Sequence, residues 1–236
     1  MSLLTIIKDA ASRIGVVEPA AGVGSNDPNA KKLVALANQE GRDLQKRLDW
    51  QALVKEQSWS ATATEEQANQ IPDDFDRMLP KTFWNRTTDR PVAGPLSAQR
   101  WQLLKSGLVI QPWDAFRIRG GSLLMSPTPT ASDALVFEYV TKYWCGSASD
   151  TEPTQSAFTS DSDIIFLDEE AMTLGLVWRW KKSVGVEYGE DFQLYEDYLS
   201  RLMVSDGVAA DIDMGTGDDG SAVLDPYVTD GNWSIS

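Results

Sequence analysis

The stretch from Leu167 to Lys182, LDEEAMTLGLVWRWKK, constrains the fold more than any other part of this sequence. Asp168 can cap the start of a helix, the two glutamates after it suit the positive end, and the two closing lysines suit the negative end. At about 100° per residue, the apolar side chains between these ends point to all sides of the helix. They are Ala171, Met172, Leu174, Leu176, Val177, Trp178 and Trp180. A helix that is apolar all round is buried, so other elements must surround this one.

A membrane span is the other structure that an apolar helix can adopt. Here the apolar run is too short to cross a bilayer, and charged residues flank it on both sides. The start of the chain, MSLLTIIKDAASRIG, is amphipathic and carries Lys8 and Asp9, so no secretory leader is visible. We therefore expect synthesis in the cytoplasm and no membrane partner.

Three further helices are predicted from the spacing of apolar residues and from end signals. The first covers residues 2–14, with Ser2 as its cap. The second is capped by Asp27, has a proline at its first position and runs to about residue 49. The third covers about 190–204. We interpret the charges of the second helix as mostly a solvated face; they are Lys31, Lys32, Glu40, Arg42, Lys46 and Arg47.

The central part of the chain, residues 51–165, has the composition of a β-rich region. Gly, Pro, Thr and Ser interrupt short runs of β-prone residues. The segments FRIR and SLLM within 116–125 flank Gly120 and Gly121, which predicts a tight hairpin because glycines supply the positive φ that such a turn needs. Further candidates are a strand at 53–64, a strand at 135–144 and a short helix at 97–105.

Together these elements predict an α+β fold. The N- and C-terminal helices form a helical bundle with an inserted β-rich region and an extended acidic C-terminal tail. The expected boundaries are 1–50 for the first helical part, 51–165 for the insertion, 166–205 for the helical hairpin that completes the bundle, and 206–236 for the tail.

The tail holds half of the chain's net charge of −14, because residues 206–236 contain seven aspartates and no Lys or Arg. Such a composition cannot form a core of its own, so we predict a segment that orders on a partner. A chain this acidic is also a poor match for nucleic-acid phosphates, which are bound through cations.

The sequence contains no histidine and one cysteine, Cys145. The absence of histidine excludes histidine-based triads, histidine acid–base chemistry and histidine metal ligation. A single cysteine cannot form an internal disulfide. Any catalysis would therefore depend on carboxylates, Lys or Tyr.

Three acidic groups are candidates for such chemistry, and each departs from the pattern that it would need. Asp73, Asp74 and Asp76 could hold a hard cation, but an arginine stands at position 77 where a helical metal motif requires an acid. Asp211-x-Asp213 begins like a calcium loop and then lacks the later ligands. Glu169-Glu170 could serve glycoside hydrolysis, but adjacent residues on a helix do not face one substrate. We predict no catalytic residue, no metal and no cofactor.

Arginine and tryptophan in the insertion leave two interpretations open. The arginines form either a solvated face or a protein interface, where Arg is enriched. The tryptophans Trp59, Trp84, Trp101 and Trp113 are either core residues or interface anchors. Our candidate residues for a partner interface are Arg86, Arg90, Arg117 and Arg119 in the insertion, with Tyr227 and Trp233 in the tail.

An ordered series of segments along residues 1–205, rather than one motif, carries a resemblance to a known family. The series starts with SLLTIIKDAASRIG, the second helix closing in Leu48-Asp49-Trp50, and IPDDFDRMLPKTFWNRTTDRPVAGPLSAQRW. It continues with FRIRGGSLLMSPTP, FEYVTKYWC and LDEEAMTLGLVWRWKK. In this order the segments resemble the head-to-tail adaptor (connector) proteins of tailed phages.

The resemblance implies a structural virion protein at the head–tail junction, made in the host cytoplasm and without enzymatic activity. Members of that family form a ring, twelve-fold in known cases, which lies beneath the portal, extends the DNA channel and carries tail components. The implied partners are the portal protein, other tail proteins and further copies of this chain, while genomic DNA passes through without specific binding. Some members join their partner through extended C-terminal segments, which suggests that role for 206–236.

Two other functions stay open. A virion-associated, carboxylate-dependent glycan hydrolase would need two acids about 5 to 9.5 Å apart in a cleft, and the sequence shows no such pair. An acidic decoy that mimics DNA would need carboxylates spread along a rigid surface, whereas half of the acidic excess lies in the tail.

Overall fold

A computed structural model describes residues 1–107 and 113–206. These residues fall into two compact units: a helical unit of 1–54 and 140–206, and an insertion unit of 55–139. The predicted α+β class is confirmed, since helices and sheets are both present. The expected tail beyond Asp206 lies outside the described residues, and so do Tyr227 and Trp233.

The helices and strands of the described residues follow the chain in this order. The helices are α1 (Leu3–Ile14), α2 (Pro28–Arg47), α3 (Ala98–Lys105), α4 (Glu169–Val184) and α5 (Gly189–Ser205). The longer strands are β1 (Val54–Ser60), β3 (Phe75–Met78), β6 (Ala115–Arg119), β7 (Ser122–Ser126) and β8 (Ala134–Thr141). The two-residue strands are β2 (Glu66–Gln67), β4 (Trp84–Asn85), β5 (Arg90–Pro91), β9 (Cys145–Gly146) and β10 (Ile164–Ile165).

Helix α4 is the centre of the helical unit, as its sequence predicts. Asp168 caps it by accepting a hydrogen bond of 2.8 Å from the Ala171 N–H, and Gly185 ends it at a φ of 76°. Residues 171–178 and Trp180 are all buried, and α1, α2 and α5 each pack against α4. The prediction of a buried central helix is therefore confirmed. None of the described helices is both long enough and apolar enough to cross a membrane.

Helix α2 packs closely on the rest of the unit through a glycine. A Cβ at Gly41 would overlap the six-membered ring of Trp144, which is fully buried. The Trp144 indole N–H donates to the Ser156 carbonyl at 3.0 Å, and its ring lies edge-on against Phe158. One expectation for this helix is wrong: Glu40, which we placed with its neighbours on a mostly solvated face, is completely buried.

The segment 140–165 belongs to the helical unit and not to the insertion unit. The Asp161 carboxylate accepts hydrogen bonds from the backbone N–H groups of Gly22 and Val23, at 3.0 and 2.7 Å. The Asp163 carbonyl accepts from the Leu3 N–H at the start of α1. These bonds connect residues about 140 to 160 positions apart, so the insertion unit is shorter than the expected 51–165.

The insertion unit contains two sheets around an aromatic core. One sheet has the order β1-β8-β4-β5, with β3 also pairing with β8, and the other has the order β2-β7-β6. The predicted hairpin is confirmed as β6 and β7, which join through Gly120 and Gly121 at φ values of 59° and 82°. The core residues of this unit are Ala61, Phe83, Val92, Phe116, Leu123, Met125, Leu135, Phe137 and Tyr139. Strand β8 ends at Thr141 and not at residue 144 as expected.

Candidate partner-binding surfaces

The four predicted interface arginines lie on two different sheets. Arg86 directly follows β4, and Arg90 belongs to β5. Arg86 is exposed and donates to Glu56 at 2.8 Å. Arg117 and Arg119 alternate along β6 in the other sheet, the first half-buried and the second exposed. Their part in a partner interface stays a prediction.

The tryptophans of the insertion divide between the two interpretations. Trp101 is buried in the core, and Trp59 packs against the aromatic core. Trp84 and Trp113 are half-buried. Trp84 lines an open pocket, so it is the tryptophan of this unit best placed to contact another molecule.

Two aspartates of the IPDDFD segment, Asp74 and Asp76, have basic or hydroxyl partners. Asp74 accepts from Lys55 at 3.0 Å and from the Tyr139 hydroxyl at 2.9 Å. Asp76 accepts from Arg77 at 2.7 Å. Within the part of the chain that the structure describes, no three side chains of the metal-binding types come together. These contacts give the carboxylates a role in holding β1, β3 and β8 together.

A pocket on the insertion unit collects carboxylates that the sequence does not group. It has a volume of about 370 Å³ and is lined by Glu56, Lys81, Thr82, Trp84, Arg86, Asp89, Val136 and Glu138. Val136 and Glu138 alternate along β8 with residues whose side chains form the aromatic core, so the pocket lies on the opposite face of that sheet. The strand register that brings β1, β4 and β8 together cannot be read from local sequence, which is why this group was missed.

The turn between α4 and α5 exposes a group of apolar side chains, which we call the α4–α5 surface. Its members are Val184, Val186, Tyr188 and Phe192, with exposed fractions of 48, 54, 36 and 38%. Tyr188 and Phe192 flank the buried Trp178, with ring centroids 6.4 and 5.1 Å from the Trp178 ring. Exposed apolar groups of this kind, rimmed by charge, are typical of interaction sites. The sequence analysis missed this surface, although two valines and a tyrosine in one turn were a signal for it.

Two lysines beside the α4–α5 surface have no acidic partner among the residues that the structure describes. The Lys182 ammonium lies 5.6 Å from the Trp178 ring and 5.9 Å from the Tyr188 ring. Lys46 lines a pocket of about 340 Å³ whose other lining residues are Asp43, Arg47, Trp178, Arg179, Phe192 and Tyr195. Neither lysine forms an ion pair with any residue in 1–107 or 113–206. The surface is thus apolar, with Lys46 and Lys182 beside it and the exposed carboxylates of Glu187 and Glu190 in its own turn.

Trp178, beneath this surface, carries an unsatisfied hydrogen-bond donor. Its side chain is 7% exposed, and its indole N–H has no acceptor among the described residues. Buried polar groups are normally paired, and an unpaired one costs about 1–3 kcal/mol.

A buried polar network holds α2, α4 and α5 together behind the pocket. The Glu40 carboxylate, completely buried, accepts hydrogen bonds from Arg179 Nε and from the Tyr195 hydroxyl. Arg179 also donates to Asp43 at 2.7 Å. Burial raises the pKa of Glu40, and the Arg179 charge opposes that shift. Burial and the neighbouring Glu40 both raise the pKa of Tyr195, so the phenol stays protonated.

No protein-family model matches this sequence, and no curated protein matches it.

Proposed function

We propose that this chain is a structural virion protein, a head-to-tail adaptor that joins the portal to the tail. The observation that carries the proposal is the α4–α5 surface, where four neighbouring apolar side chains are exposed in a chain of net charge −14. Soluble monomers rarely expose contiguous apolar patches larger than roughly a few hundred Å², and larger ones mark interaction sites. The ordered resemblance of residues 1–205 to adaptor proteins supports the same function.

A ring, twelve-fold as in the resembling family, places two demands on each subunit. A heterologous ring contact needs two different, complementary patches on every copy. The α4–α5 surface serves as one patch, and the sheet edges that carry Arg86, Arg90, Arg117 and Arg119 serve as the other. In this proposal the N- and C-terminal helices form the bundle, the β-rich insertion projects a second contact, and the acidic residues 206–236 join a partner.

The charge of the chain suits a channel protein. Net negative charge repels the phosphate backbone, so genomic DNA passes through the ring without specific binding. The partners in this proposal are the portal, other tail proteins and further copies of the chain, at the head–tail junction of the virion. No catalytic step is required of the adaptor.

The double variant Val186→Ser/Phe192→Ser should lose assembly while staying folded. Each apolar side chain contributes about 1.5–3 kcal/mol when buried in an interface, so the pair should weaken assembly about a hundredfold or more. The measurement is mass photometry of the protein mixed with its portal ring. Wild-type protein should give a discrete high-mass species, and the double variant should stay at its starting mass.

The control for this variant is Val17→Ser, which alters a valine that is 87% exposed on the same unit but outside the surface. It should assemble like wild type, and circular dichroism should show equal folding of all three proteins. Normal assembly by the double variant would remove the α4–α5 surface from the adaptor proposal.

Glycan hydrolysis is a second candidate, because one pocket brings together Glu56, Asp89 and Glu138 beside the half-buried ring of Trp84. Carboxylate pairs in a cleft are the machinery of glycoside cleavage, and an aromatic ring can stack on a sugar. Glu56 is bound to Arg86, which leaves Asp89 and Glu138 as the carboxylates to test, and Glu138 on β8 is the first. A zymogram on cell-wall material distinguishes the two functions. Clearing by the wild-type protein that is abolished in Glu138→Gln would favour the hydrolase. No clearing by the wild-type protein would favour the adaptor.

A further inference from the structure

We propose that the pocket beside Trp84 binds a neutral saccharide. The pocket has a volume of about 370 Å³, and its lining side chains all belong to the insertion unit. Binding of this kind requires neither cleavage of the ligand nor assembly of a ring, so it stands apart from the adaptor function and from hydrolysis. Because Arg86 also belongs to the proposed ring patch, the site is one of the unassembled chain.

The strand register gives the pocket an apolar wall. Trp84 on β4 pairs directly with Val136 on β8, so their side chains share one face of the sheet. The next pair, Asn85 with Leu135, points to the opposite face, where Leu135 joins the aromatic core. Val136 is 4% exposed and Trp84 is half-buried. A matching ligand needs a flat apolar face, because an aromatic ring offers a large flat apolar surface.

The polar part of the lining carries both signs of charge. Lys81 and Arg86 are its cations, and Glu56, Asp89 and Glu138 are its carboxylates. A cationic ligand would meet the two cations, and an anionic ligand would meet the carboxylates, so each would be repelled by part of the lining. A neutral ligand rich in hydroxyls meets no like charge, since a hydroxyl can donate to a carboxylate and accept from an ammonium or guanidinium group.

Several of these polar groups have hydrogen-bonding capacity left for a ligand. Glu138 is half-buried, and its carboxylate has no hydrogen-bond or ionic partner within residues 1–107 and 113–206. Asp89 is exposed and also has no partner in those ranges. The Arg86 guanidinium donates to Glu56 at 2.8 Å, and its other N–H groups have no acceptor in the described part of the chain. Hydroxyls of a bound ligand would complete these bonds.

The backbone at two lining residues is a separate indication of a binding site. Lys81 has a φ of 63° and Asp89 a φ of 52°, both in the left-handed region. Aspartate tolerates this region better than most residues, whereas a lysine there is uncommon. Strained residues cluster at ligand-binding sites, where the surrounding structure holds them in place. Both of these residues line the same pocket, although they lie on different loops.

The size of the pocket favours a short saccharide. Its volume lies near the lower end of the range of about 300–1,000 Å³ that is typical of ligand pockets. A pyranose carries C–H groups on its faces and hydroxyls around its rim. One sugar ring can therefore contact the indole of Trp84 and hydrogen-bond to Glu138 and Arg86 at the same time.

Isothermal titration calorimetry of the chain without its portal tests the proposal. The probes are maltopentaose, cellopentaose and tetra-N-acetylchitotetraose, which are neutral and differ in linkage and substitution, so the preferred probe identifies the source of the ligand. We expect at least one to bind with a Kd of about 1 mM or lower. The Kd should change by less than about twofold in molar salt, because the ligand carries no charge to be screened. Trp84→Ala should weaken binding about tenfold or more, because it removes the aromatic wall.

Trp113→Ala is the matched control, because Trp113 is also half-buried in the insertion unit but does not line this pocket. It should bind like wild type, and circular dichroism should show equal folding of all variants. Asp89→Asn keeps a residue type that tolerates the positive φ and removes one carboxylate, so it should weaken binding about threefold or more.

The proposal is overturned by any of three results: no probe binds, Trp84→Ala binds as tightly as wild type, or the affinity falls about tenfold in molar salt, as for an ionic ligand. The titration involves neither the portal nor cleavage of the probe. Its failure is therefore distinct from a failure of assembly and from an absence of clearing on cell-wall material.

Discussion

Gly41→Ala should lower the free energy of unfolding by about 2 kcal/mol, against the usual preference of helices for alanine. Alanine in a helix interior gains about 1 kcal/mol over glycine. At position 41, however, the new Cβ would overlap the Trp144 ring, and overpacking a full core costs about 1–3 kcal/mol or more. The Trp144 ring cannot shift away, because the ring centroids of Trp144 and Phe158 are 4.8 Å apart and the Trp144 N–H donates to the Ser156 carbonyl.

Urea denaturation followed by far-UV circular dichroism measures this effect. Gly189→Ala is the matched control, because its new Cβ would meet only the Glu187 carboxylate, at 2.9 Å, and that side chain is exposed and can move. The control should change stability by less than about 0.5 kcal/mol. Equal midpoints for Gly41→Ala and wild type would show that Trp144 can relocate, and would remove the close α2 contact as a constraint on the fold.

Glu40→Ala should also lower the free energy of unfolding by about 3 kcal/mol. The variant leaves the buried Tyr195 hydroxyl without its acceptor and takes from Arg179 its buried partner. Breaking a buried ion pair by removing one side costs about 3–5 kcal/mol, and the Asp43 contact that Arg179 keeps places the effect at the lower end. Thermal and urea unfolding of the variant and wild type measure the difference.

Asp43→Ala is the control for that prediction. It removes the second carboxylate from Arg179, but Asp43 is 52% exposed, so the change should cost less than about 1 kcal/mol. Glu40→Gln retains an acceptor for Tyr195 and should recover part of the loss. If Asp43→Ala were as damaging as Glu40→Ala, the stability would lie in the surface pair and not in the buried network.

The loss of stability caused by Glu40→Ala should depend on pH and should be largest at low pH. Because burial raises the pKa of Glu40, the folded protein holds that proton more tightly than the unfolded chain does. The stability from this proton is fully present below the unfolded pKa of 4.5 and is lost as the pH rises through the folded value. The loss caused by Glu40→Ala should therefore be greater near about pH 4 than near about pH 8. The opposite trend would mean that the Arg179 charge outweighs burial.

The sequence predicted correctly those helix ends and turns that depend only on residues close together in the chain. Ser2, Asp27, Ser97 and Asp168 all cap helices as expected, because a cap needs only a side-chain oxygen and the next turn. The Gly120-Gly121 turn was predictable for the same reason. The burial of α4 was predictable because its apolar side chains point to all sides of the helix and leave no polar face toward solvent.

Long-range pairing explains what the sequence did not predict. Glu40 looked like one more charge on an amphipathic helix, and its partners Arg179 and Tyr195 lie 139 and 155 positions away. The boundary near residue 139 was missed because the loop 147–163 is polar by composition, yet Asp161 and Asp163 tie it to the first helix and the loop that follows. The pocket beside Trp84 depends in the same way on strand pairing.

The helical unit is built from two separate parts of the sequence, and this determines when it can fold during synthesis. Helices α1 and α2 pack against α4, which begins 115 residues after the first part of the unit ends at Val54. At about 5–20 residues per second, the ribosome needs about 6 to 23 s to make that interval. Through this time the faces of α1 and α2 that pack on α4 have no partner, while residues 55–139 emerge as a continuous chain and can fold. Slow codons between Lys55 and Asp168 should therefore increase aggregation of the nascent protein, whereas the same codons after α4 should not.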